Sequence, residues 1–186
     1  MALATGIAFF GLFWPLMFNG LLLTGRIGPP EDAEGARQWN KLYAIFANLP
    51  GALSLSFATI WFQTDKYSLG VPGLDIVVAE LCFMFAVLWL GMTLAVYNGW
   101  DLKPAGLYVL IAGFILLIIT YAGVYYSVPF EFLIIWLTYV AVCWSFYGTT
   151  VGRVSATTTG YLLLISAVET LYAAFVLGGV FPRPFA

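Results

Sequence analysis

What most limits this chain is that six separate stretches of it have almost nothing to offer water. They run over about residues 3–25, 41–62, 74–97, 105–126, 130–149 and 158–181. Roughly 20 consecutive apolar residues span the hydrocarbon core as a helix. Each run is continuous, whereas a membrane β-barrel would alternate apolar and polar residues in segments of about ten. Charged residues make up only 9% of the 186 positions, against about 25% in a soluble domain. Little chain remains between the runs, so no soluble domain fits there. The sequence predicts an all-α integral membrane protein, one domain over residues 1–186, with six transmembrane helices in one bundle. The first run lacks a basic n-region and a cleavage pattern, and is expected to stay as a helix rather than act as a signal peptide.

Cation placement predicts orientation. Arg26, Arg37 and Lys41 flank the first loop, Lys103 the third and Arg153 the fifth, against Lys66 in the second and Arg183 near the C-terminus. The positive-inside rule then puts loops one, three and five in the cytoplasm and both termini outside. The acids of the first loop, Glu31, Asp32 and Glu34, carry little weight in that rule. Following Pro29-Pro30, they instead signal a helix start near residue 31. Trp39 and Trp61 lie 22 residues apart, which is about 33 Å of helix and enough to mark both interfaces. Trp100, Tyr125 and Tyr126 read the same way. Pro15 and Pro50 fall inside helices, each near an amide, Asn19 or Asn48. These amides satisfy the kinked backbone, or Asn19 lines a polar path. Cys82 and Cys143 lack CxxC spacing and read as packing residues.

The chain has no histidine. It therefore offers no imidazole ligand for haem, copper or zinc and no histidine base. Nor does it carry a Walker or Rossmann glycine pattern or a basic patch for nucleic acid. No cofactor or metal is expected, and no enzyme: isolated carboxylates and hydroxyls are all that catalysis would have. What remains is polar and aromatic residues at membrane depth. Trp136, Tyr139, Cys143 and Tyr147 recur on one face of the fifth span, as do Ser166, Glu169 and Ala173 on the sixth, with Tyr172 at its edge. On the third span Glu80, Met84, Val87 and Gly91 share a face. An aromatic stripe ordinarily packs helices, but beside a carboxylate it could also pass a small polar solute.

The stretches Asn19-Gly20, "GWDLKPAGLY" at 99–108, "IIWLTYVAVCW" at 134–144 and "VGR" to "TGY" at 151–161 resemble the urea and short-chain amide channel family (AmiS/UreI type). The resemblance runs thinly over all six spans. It implies a passive channel with a pore in each protomer, six protomers in a ring, and the bacterial inner (plasma) membrane as location. It also implies pore-lining roles for Asn19, Trp136 and Tyr139, with the next family tryptophan falling on Cys143 or, with one insertion, on Trp144. Two positions depart from the family. Its sixth-helix carboxylate aligns to Ser166, with Glu169 one turn later. Its third-helix constriction aromatics fall on Val87 and Gly91, so the constriction is wider here or built from Phe83 and Trp89.

The leading expectation is passage of urea or small neutral amides, since a narrow apolar pore excludes ions by withholding replacements for their water. The alternatives are an accessory subunit that scaffolds a larger complex, and a proton-coupled transporter using Glu80 and Glu169 as relays. Glu169, near the middle of its span, should face the bundle interior beside Ser166, because a carboxylate facing lipid costs roughly 3 kcal/mol or more. There it either clamps the sixth span to the first, with Asn19 as partner, or accepts hydrogen bonds from solute NH2 groups.

Overall fold

The computed structural model describes residues 2–64, 74–125 and 127–177. Lys66, Tyr126 and Arg183 lie outside the described residues. Everything described is helix or short connection: α1 (Ala2–Leu23), α2 (Ala33–Tyr43), a π-helical turn (Ala44–Asn48), α3 (Leu49–Thr64), α4 (Leu74–Asn98), α5 (Lys103–Tyr125), α6 (Phe130–Thr150) and α7 (Ala156–Leu177). Six helical stretches are long and apolar enough to cross a membrane, α2, the π-turn and α3 forming one of them. The protein is thus an all-helical, multi-pass membrane bundle, as the six runs predict.

The helix ends follow from local chemistry. Asp32, in extended conformation, caps α2 by accepting a hydrogen bond from the Gly35 amide at 2.6 Å, two residues from the predicted start. Gly25, Gly99 and Gly152 adopt φ of 72°, 68° and 74° just past α1, α4 and α6. The residue after each closes a six-residue loop onto its helix: Arg26 onto Leu21, Trp100 onto Ala95 and Arg153 onto Gly148. This is the Schellman ending, which needs a left-handed residue that glycine adopts without strain. Connectivity places all three at one end of the bundle, with the exposed Arg26, Arg37, Lys103 and Arg153. At that end the Lys103 amide donates to Asp101 at 2.9 Å. This bond and the nearby Lys103 ammonium hold the Asp101 carboxyl below the usual carboxylate range.

The spans close into a ring in chain order, α1 beside α3, then α4, α5, α6 and α7, with α7 packed along α1. Small residues set the close approaches. A Cβ on Gly51 of α3 would sit 2.2 Å from Pro15 Cγ and 2.7 Å from the Gly11 carbonyl oxygen of α1, so those backbones touch. The α4–α5 seam is the thinnest of the six. Tyr108 bridges it, its hydroxyl donating to the Met84 carbonyl at 2.9 Å.

A proline follows the π-turn by two residues. Pro50 has no N–H, so the Phe46 carbonyl loses its helical donor. The Trp14 indole on α1 donates to that carbonyl instead, at 2.7 Å. Asn48 was the amide expected at this proline, but a tryptophan takes the freed carbonyl; Asn19, the amide expected at Pro15, does donate to backbone there, to the Pro15 carbonyl at 2.8 Å. Prolines and π-turns in spans are tolerated where a neighbouring helix supplies the missing partner.

Candidate functional site: a central cavity

Inside the ring lies a cavity between α1, α4, α5, α6 and α7. Its volume is about 30 Å³. That is above the ~10–15 Å³ that a cavity needs to hold a water. Helical periodicity builds its wall. Leu12, Leu16 and Asn19 face it from α1, and Phe85, Leu88, Trp89 and Met92 from α4. From α6 come Tyr139, Val142, Cys143 and Phe146. Among the described residues, no acidic or basic side chain lines it.

Polar groups gather at its margins. Towards the cationic end, Asn19 donates from Nδ2 to Asn48 Oδ1 at 2.7 Å and to the Pro15 carbonyl at 2.8 Å. The Tyr43 hydroxyl donates to Asn19 Oδ1 at 3.0 Å. All three side chains are buried, Asn48 completely. Towards mid-membrane, the Tyr139 hydroxyl is hydrogen-bonded to Thr170 of α7, and Thr170 donates onward to the Ser166 carbonyl. The Tyr139 ring meets Phe85 edge-on at 6.3 Å. Between these margins stands Trp89, 5% exposed, whose indole N–H has no hydrogen-bond partner among the described residues.

Asn19, Tyr139 and Cys143 therefore line one cavity. Five other candidates stand elsewhere. Val87 and Gly91 lie on the outward face of α4; Val87 is 41% exposed, and nothing comes within 4 Å of a Cβ placed on Gly91. Trp136 lies across Gly123, and Trp144 across Gly113 beside Phe114, so both fill the α5–α6 seam. The choice between Cys143 and Trp144 thus falls to Cys143. Here α5 packs against α6 over glycines, and those notches draw the indoles away from the cavity.

Glu169 also needs correcting. It is half-buried on the α6–α7 seam, where Thr138 donates to its Oε1 at 3.3 Å. It neither lines the cavity nor reaches Asn19. Ser166, one turn earlier, is fully buried. Three residues apart on a helix is about 300° of rotation, so the two side chains diverge by about 60°. That offset turns Glu169 to the flank of its helix.

The sequence reading left out most of the wall: Leu12 and Leu16 on α1, Phe85 and Met92 on α4, Val142 and Phe146 on α6. Their signal was present as i, i+3, i+4, i+7 spacing, but each helix that lines the cavity is apolar all round, so spacing alone does not say which face turns inward. Phe83, the other suggested constriction aromatic, is 55% exposed, whereas Trp89 lies on the wall. No family model, curated protein or solved structure matches the chain.

Proposed function

We propose that the protein is a passive channel for urea or other small neutral amides, with the passage through the middle of each protomer. The observation that carries this reading is the central cavity, which lies in the middle of the protomer and, among the described residues, has no charged side chain in its lining. A wall of rings and aliphatic side chains replaces none of an ion's water, and an unpaired charge in such surroundings costs many kcal/mol. A planar amide loses far less. Its flat face suits the aromatic surface that Phe85, Trp89 and Tyr139 give the cavity, and its carbonyl oxygen suits the Trp89 indole N–H. Asn19 and Tyr139, each already hydrogen-bonded, mark the two ends of the dry stretch.

The carboxylates give a proton relay little support, because Glu80 is exposed on α4 and Glu169 lies on the α6–α7 seam, neither touching the cavity. The test is stopped-flow swelling of proteoliposomes with urea, acetamide and glycerol, with no ion gradient imposed. Urea and acetamide should enter faster than in empty liposomes, and Trp89→Phe, which keeps the ring and removes the N–H, should slow them several-fold. Entry no faster than in empty liposomes, or entry that depends on a proton gradient, would overturn the reading.

A further inference from the structure

Two buried N–H groups, Trp89 Nε1 on the cavity wall and Asn48 Nδ2 at the cationic margin, have no partner among the described residues. The first already serves the proposed passage. The second has no structural task. Asn48 is the last residue of the π-turn and is completely buried. A buried donor left without a partner is costly, and native structures keep few of them.

The surrounding bonds decide which atom of Asn48 is vacant. The Pro15 carbonyl can only accept, so Asn19 must turn its side-chain nitrogen to it, and does so at 2.8 Å. The Asn19 oxygen is then left for the Tyr43 hydroxyl, which donates to it at 3.0 Å. The second hydrogen on the Asn19 nitrogen needs an acceptor, so Asn48 presents Oδ1 to it at 2.7 Å. What remains is the Asn48 NH2 group, held through its own oxygen and itself vacant. An acceptor alone would have satisfied Asn19.

Asn19 lines the cavity, so Asn48 stands one side chain behind the wall, at the end nearer the cations. We propose, resting on the channel reading, that Asn48 Nδ2 is a second station of the passage. A solute moving past Asn19 exchanges the Trp89 indole for this amide as the donor to its carbonyl oxygen. π-turns often stand at functional sites, and this one ends on Asn48. Because both vacant groups on this stretch are N–H donors, the solute is recognised by its acceptor. The class is small neutral carbonyl compounds such as urea and acetamide, sorted by their C=O rather than by their N–H groups. A site built to donate rejects a poor acceptor, because its own buried donor then goes unpaired.

The test compares urea with thiourea, whose sulfur is a weaker acceptor on a similar planar frame. Stopped-flow swelling of proteoliposomes holding the full chain reads the entry of each. Asn48→Leu should slow urea several-fold and bring its rate closer to that of thiourea. A packing role alone would slow both solutes alike. In parallel, solid-state NMR in bilayers, with labelled asparagine in the original protein and carbon-labelled urea, should show the urea carbon coupled to the side-chain nitrogen of Asn48. Absence of that coupling would overturn the inference, however well the variant folds. An Asn48→Leu protein that assembles normally and keeps both the urea rate and the ratio would overturn it alone. Urea entry no faster than in empty liposomes would overturn the channel reading and this station with it.

Discussion

Replacing Asn19 with leucine tests the polar margin of the cavity most directly. The substitution nearly conserves volume and deletes three hydrogen bonds of the Asn19 side chain. The Pro15 carbonyl loses only its second partner. Two groups are left alone in a buried site, Asn48 Oδ1 and the Tyr43 hydroxyl, next to an Asn48 Nδ2 that already lacks a partner. An orphaned buried group costs about 1–3 kcal/mol on scales from soluble proteins. Interhelical hydrogen bonds within membranes average ~0.6 and reach ~1.7 kcal/mol, because the unfolded chain in lipid also finds partners. Two such bonds therefore put the loss at about 1–3 kcal/mol. Asn48→Leu should cost less, since Asn19 keeps Tyr43 and Pro15 and the orphaned Nδ2 disappears. In the double variant the two effects should fall short of their sum by about 1 kcal/mol, the worth of the Asn19–Asn48 bond. Unfolding free energies of the four proteins in bicelles, by steric trapping, close the cycle. Additivity within ~0.3–0.5 kcal/mol, the limit for independent sites, would mean that the bond does no work and that the margin is not held as described.

Two further outcomes are expected. Gly51→Ala must push α3 off Pro15 and the Gly11 carbonyl, and should destabilise by about 1–3 kcal/mol as overpacking does, with Pro15→Ala partly rescuing it; Gly6→Ala, which meets nothing within 4 Å, should leave the thermal midpoint unchanged or slightly raised, and equal midpoints for the Gly51 and Gly6 variants would refute the close contact. Solute entry should be flat between about pH 5 and 7.5, the histidine range, because the chain has no histidine and no carboxylate lines the cavity; a steep rise in uptake on acidification would show that another group gates it.

By itself the sequence determined the number and length of the spans, since a helix is the only way for a continuous apolar run to satisfy its backbone in lipid. It also determined where the helices stop. Asp32 behind Pro29-Pro30, and Gly25 and Gly99 after the helices they end, act through their own few residues, and local chemistry is readable locally. Which way each helix faces was left to the tertiary structure. In a soluble bundle the polar stripe marks the outside; here lipid and protein interior are equally apolar, so Trp136, Trp144 and Val87 looked as fit for the cavity as Tyr139 and Cys143. Glycine notches on α5 decided the first two, because close approach of α5 and α6 rewards an indole laid across the gap. A rotation of about 60° between Ser166 and Glu169 put one in the core and the other on a seam. Satisfying the carbonyl at Pro50 needed two helices: Pro50 frees it on one, and only packing brings the Trp14 donor from the other.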